Sequence, residues 1–77
     1  MTRKDYVRIA EGIEHGYEGY LRTDGRDITF TEKAATMQAV RSVTYSLGIE
    51  LQRENPRFDI RKFADAALCH PDFYRGA

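Results

Sequence analysis

Read as a string of apolar and polar positions, the chain falls into three stretches of helical period. In the first, Tyr6, Ala10, Ile13, Tyr17, Tyr20 and Leu21 recur at spacings of three and four, with Ile9 on the flank. That is the 3.6-residue repeat of a helix with one apolar face. Thr2-Arg3-Lys4-Asp5 supplies its start, with the Thr2 hydroxyl as cap and an acid in the first turn. A helix from about residue 3 to 20 is expected. Gly12, Gly16 and Gly19 bear on its length, because each costs roughly 1 kcal/mol relative to Ala. Either the helix breaks near Gly16, or it continues and its glycine side admits the close approach of another backbone.

The second stretch predicts a long helix from about Glu32 to Glu54. Its main face carries Thr36, Val40, Val43, Leu47 and Leu51, with Met37 and Ala39 at the edges. Thr23-Asp24-Gly25-Arg26-Asp27 before it reads as a turn, and Ile28-Thr29-Phe30 as a short extended piece. Two starts fit: Thr29 with Glu32 in a capping box, or Thr31 with Phe30 stapled on Ala35. The opposite side is less polar than a solvated face, with Ala34, Tyr45 and Ile49 on it, and Gly48 weakens the helix locally. Helix 2 is then either sandwiched between the other two, or Tyr45 and Ile49 belong to a dimer or partner surface.

Asn55-Pro56 ends that helix, since the residue before a proline is pushed out of the α region. Asp59 then caps a third helix, with Phe58 and Phe63 placed as a hydrophobic staple. Ile60, Phe63, Ala64, Ala67 and Leu68 form its buried face, and His70-Pro71 stops it. Asp72-Phe73-Tyr74 reads as one further turn, with Phe73 docking on the bundle. The fold expected is all-α: one compact three-helix domain over residues 1–77, with a long central helix 2 and a short C-terminal helix.

Composition narrows the function classes. At 77 residues the chain has no room for a cofactor domain beside a substrate domain, and 42% hydrophobic with 31% charged residues is not a disordered composition. Twelve Lys and Arg balance twelve Asp and Glu, which removes the simplest argument for a general nucleic-acid or anionic-membrane binder. The N-terminus has no apolar run of the roughly 7–15 residues a signal peptide needs, nor the longer run of a membrane span. One cysteine, Cys69, excludes an intrachain disulfide. A cytoplasmic protein held by helix packing is expected.

The start Met1-Thr2-Arg3-Lys4-Asp5-Tyr6 with Ile9-Ala10, and the later Asn55-Pro56-Arg57-Phe58-Asp59 followed by Ile60-Arg61-Lys62-Phe63-Ala64-Asp65-Ala66-Ala67, carry a resemblance. The chain resembles small uncharacterised accessory proteins of bacteriophages and mobile elements. The likeness covers the two ends and leaves out the middle, from about Gly16 to Arg53. It implies a phage accessory protein and transfers no catalytic or binding residue.

Residues with chemistry are sparse. Cys69-His70 is the one adjacent nucleophile and base, but neighbours at a helix end seldom point at each other, and Cys69 reads as a small apolar residue there. Cys69, His70 and Asp72, with His15, lack the spacing of a metal site. Glu11, Glu14 and Glu18 form an acidic strip on helix 1, either a solvated face or a surface for a basic partner. Arg53, Arg57, Arg61 and Lys62 gather at the junction of helices 2 and 3, which invites a helix-turn-helix reading. Against it, that helix exposes no Asn or Gln and carries Asp59 and Asp65. The expectation is a non-catalytic protein without cofactor or metal that binds a protein: itself as a homodimer, a phage protein or a host protein. Tyr45 and Ile49 would make the apolar contact, and Arg53, Arg57 and Arg61 the charged one. The alternative is a small DNA-binding regulator; no membrane role is expected.

Overall fold

The computed structural model describes residues 2–23 and 28–75. Four helices follow in order: α1 Arg3–Thr23, α2 Phe30–Glu54, α3 Ile60–Ala67 and α4 Pro71–Arg75. No strand occurs among the described residues, so Ile28-Thr29 is not a strand. The turn expected at 24–27 lies outside the described residues.

Each helix starts and stops for a local reason. At α1 the Asp5 carboxylate reaches back and accepts from the Thr2 backbone N–H at 2.8 Å and the Thr2 hydroxyl at 3.2 Å. The hydroxyl, expected to accept from the helix, donates instead. These bonds, the backbone one first, hold the Asp5 carboxyl below its ordinary range. The helix runs unbroken through Gly12, Gly16 and Gly19. Beyond Gly16 it carries Tyr17, which is buried, and Tyr20 and Leu21, which pack on the core. Burial there outweighs what the glycines cost.

Thr29 is the N-cap of α2, its hydroxyl accepting from the Glu32 N–H at 3.1 Å. Phe30 is therefore the first helical residue and points to solvent, so the alternative start with a Phe30 staple does not occur. Asn55, forced extended by Pro56 (φ −135, ψ 96), ends α2 while its N–H still reaches the Leu51 carbonyl at 3.0 Å. Its side-chain oxygen accepts from the Arg57 N–H at 3.2 Å, shaping the turn into α3. Asp59 caps α3 through the Lys62 N–H at 3.1 Å, and the Phe58 and Phe63 rings meet at 5.4 Å. His70 caps α4: its Nδ1 accepts from the Asp72 N–H at 3.1 Å, with Pro71 in the first helical position.

α1 and α2 are antiparallel. Asn55 at the end of α2 reaches the Tyr6 hydroxyl, while Lys33 at its start and Tyr17 of α1 share Asp72. α3 runs alongside α1, from Phe58 against Tyr6 (ring centroids 4.4 Å) to His70 against Tyr17 (5.1 Å). It packs on both long helices, which touch each other less than either touches α3. The 41 Å long axis is set by α2, 25 residues at about 1.5 Å each.

Two expectations about α2 change here. It is the longest helix, but α3 holds the middle of the core. Phe63, Ala64, Ala67 and Leu68 are buried there, whereas Leu51 is the one buried apolar side chain of α2. Ala64 and Ala67 let the long helices close on α3 from both sides. The buried stripe of α2 is also rotated from the expected one. Val43 is exposed and Thr44 is buried completely, its hydroxyl bonded to the Val40 carbonyl at 2.7 Å. A threonine that donates to its own helix has little unmet polarity to lose on burial. Gly48 is buried too, where α3 approaches: a methyl group on it would lie 3.0 Å from the Cγ2 of Ile60.

Candidate functional site

The densest polar cluster sits where α1, α2 and α4 meet. Asp72 is its centre: its Oδ2 accepts from the Tyr17 hydroxyl at 2.9 Å, pairs with the Lys33 ammonium at 3.0 Å and lies 3.4 Å from His70 Nδ1. Burial, followed by the hydrogen bond to Asp72 and its charge, pushes the Tyr17 phenol well above its ordinary value. Burial acts on Asp72 in the same upward sense. The hydrogen bonds from Lys33 and Tyr17 and the charge of Lys33 outweigh it, and the carboxyl sits below its ordinary value. Arg41 completes the docking of α4, donating to the Phe73 carbonyl at 3.3 Å with its guanidinium over the Phe73 ring. The arrangement holds a proton on Tyr17 and a charge on Asp72, which is what a fastening needs.

Cys69 and His70 do not face each other. The Cys69 thiol is exposed and bonded to the Glu14 carboxylate, so it is not the small apolar residue expected. That hydrogen bond, with burial and the Glu14 charge behind it, raises the thiol above its ordinary value, away from the thiolate a nucleophile requires. The His70 ring is turned to Tyr17 and Asp72. No cluster of three metal-ligating side chains occurs among the described residues. The acidic strip is partly answered locally: Glu14 by Cys69 and His15, Glu18 by Arg22 at 3.9 Å.

The surface residues singled out by sequence lie on α2, on α3 and in the turn between them. Tyr45 and Ile49 stand one turn apart on the outer side of α2, 43% and 48% exposed, so α2 is not enclosed on both sides. Arg53 is on the same helix, paired with Glu50 at 2.9 Å. Arg61 is exposed on α3. Arg57 is on the rim of a groove of about 490 Å³ between the first half of α1 and α3. The groove brings Arg57 together with Lys62 and with Arg3, which sequence reasoning left out. Arg3 is far from Arg57 along the chain, and only the parallel packing of α1 and α3 places them together.

A second, shallower furrow of about 340 Å³ runs between α1 and α2, where Gly12 and Gly16 face Ala39 and Val43. A methyl group at Gly12, Gly16 or Gly19 would meet nothing within 4 Å among the described residues. No helix among the described residues is long and apolar enough to cross a membrane. Comparison with protein-family models, curated proteins and solved structures finds no match to this chain.

Proposed function

We propose that this protein acts by binding another protein, without catalysis, as a small accessory protein of the phage type. The observation that supports this reading is the set of large apolar side chains left outside a saturated core. Val43, Tyr45 and Ile49 of α2 are at least two-fifths exposed, and Phe30 at its start is 87% exposed. Every buried side-chain polar atom among the described residues is hydrogen-bonded. The interior thus offers no spare polar group for chemistry, while α2 offers a surface that gains by being covered. The test is affinity capture from host lysate, paired with the solution mass of the purified protein. Wild type captures a partner or self-associates, and Tyr45→Ala plus Ile49→Ala loses it with stability changed by no more than about 0.5 kcal/mol. A wild-type monomer that captures nothing contradicts the reading.

Arg3, Arg57 and Lys62 on one groove favour a second reading, a small DNA-binding regulator. A mobility shift at low salt that weakens steeply with added salt and is lost in Arg57→Ala plus Arg61→Ala would support it. No shift at low salt removes it.

A further inference from the structure

We propose that the groove between the first half of α1 and α3 docks an acidic amphipathic helix from a partner protein. This rests on the protein-binding reading above and names the partner's chemistry. The floor of the groove is apolar, formed by Tyr6, Val7, Ala10, Phe58, Phe63 and Ala66. Its rim carries Arg3, Arg57 and Lys62 against a single carboxylate, Asp59. That carboxylate is already engaged, accepting the Lys62 backbone N–H as the cap of α3. None of the three cations is in an ion pair among the described residues. Charge complementarity therefore selects an acidic occupant.

Shape selects an amphipathic helix over a phosphate backbone. The charges stand on the rim while the floor is aromatic and aliphatic, so the occupant needs an apolar stripe flanked by acids. A nucleic-acid backbone brings charge without that stripe. On α1 the groove extends from Arg3 to Ala10, about 10 Å at 1.5 Å per residue. Two turns of a docked helix, with apolar anchors at i, i+3 or i+4, and i+7, span that length. Further along α1, the exposed Glu11 repels an acidic partner and confines it to the basic end.

The test uses the full chain and a displayed library of random peptides about 16 residues long. The enriched peptides should be acidic with apolar residues at helical spacing. Their binding should fall about tenfold or more in Arg57→Glu plus Lys62→Glu, and also in Arg3→Glu, and should weaken with salt. Val7→Glu, which puts a carboxylate on the floor, should abolish it. Tyr45→Ala plus Ile49→Ala should leave it within about twofold, since that surface is separate. Circular dichroism of each variant separates a lost site from a lost fold. If the enriched peptides are basic or neutral, the groove proposal is wrong. Peptides that bind but are lost only in the Tyr45 and Ile49 variant also overturn it, though protein binding itself survives. If no peptide is enriched and duplex DNA is shifted instead, both the groove proposal and the protein-binding reading fail.

Discussion

Asp72 shows how one side chain fastens a five-residue helix to two long ones. Its carboxylate takes a proton donor from α1 and a cation from α2. Removing the Tyr17 hydroxyl in Tyr17→Phe leaves Lys33 in place and should cost about 1–2 kcal/mol in urea denaturation near neutral pH. The pH dependence has two signs. Asp72 is held below its ordinary 3.8, so its contribution is present above that value and lost as pH falls below it. Tyr17 is held above its ordinary 10.0, so its contribution is present below that value and lost as pH climbs past it. In Tyr17→Phe both limbs should flatten relative to wild type, and denaturation curves across the pH series decide it. Parallel curves would show that the contact is not formed.

The glycines divide at the same scale. Gly12→Ala and Gly16→Ala meet open space and should each stabilise α1 by about 0.5–1 kcal/mol. Gly48→Ala should destabilise. Its methyl group meets the branched Ile60 at the first position of α3, and overpacking of about 1–3 kcal/mol exceeds the gain in helix propensity. In an Ile60→Ala background the obstructing methyl is gone and Gly48→Ala should become stabilising, which a double-mutant cycle reads directly.

Among the elements, α3 carries more of the fold than its eight residues suggest. A helix that short does not hold on its own in water, where about 12–15 residues are marginal. It persists through its cap and its burial between α1 and α2. Asp59→Ala should therefore lower the melting temperature of the whole protein by about 4–8 °C, for a loss near 1 kcal/mol, rather than fray α3 alone. A melt in which α3 is lost before the remaining helices would contradict this. The elements were legible from sequence wherever one residue type answers one backbone need. Asn55 before Pro56 and Asp59 with its flanking phenylalanines read correctly, and of the two starts left open for α2 the structure takes Thr29. What was not legible depended on which way a helix turns. Val43 and Thr44 are neighbours on α2, and apolarity favoured the one that faces solvent. Thr44 could be buried because its hydroxyl bonds within its own helix, a solution invisible to a hydrophobicity pattern. The Asp72 cluster and the groove rim were missed for a related reason, since each joins residues from opposite ends of the chain.

For the molecule as a whole, zero net charge conceals an uneven surface. Glu11 and Glu18 lie along one part of α1, while Arg3, Arg57 and Lys62 surround its beginning. Tyr45 and Ile49 are exposed on α2 away from that groove, while the exposed Val7 of α1 lines it. Tyr17, Lys33 and Asp72 are taken up in holding α4. The proposed protein binding would use the outside of this small helical scaffold. Amide chemical-shift mapping on addition of the captured partner tests this most directly. Shifts are expected to concentrate at Tyr45, Ile49 and the α1–α3 groove around Val7 and Lys62, with Tyr17, Cys69, His70 and Asp72 unmoved. Shifts centred on those last four residues, with α2 and the groove silent, would contradict it.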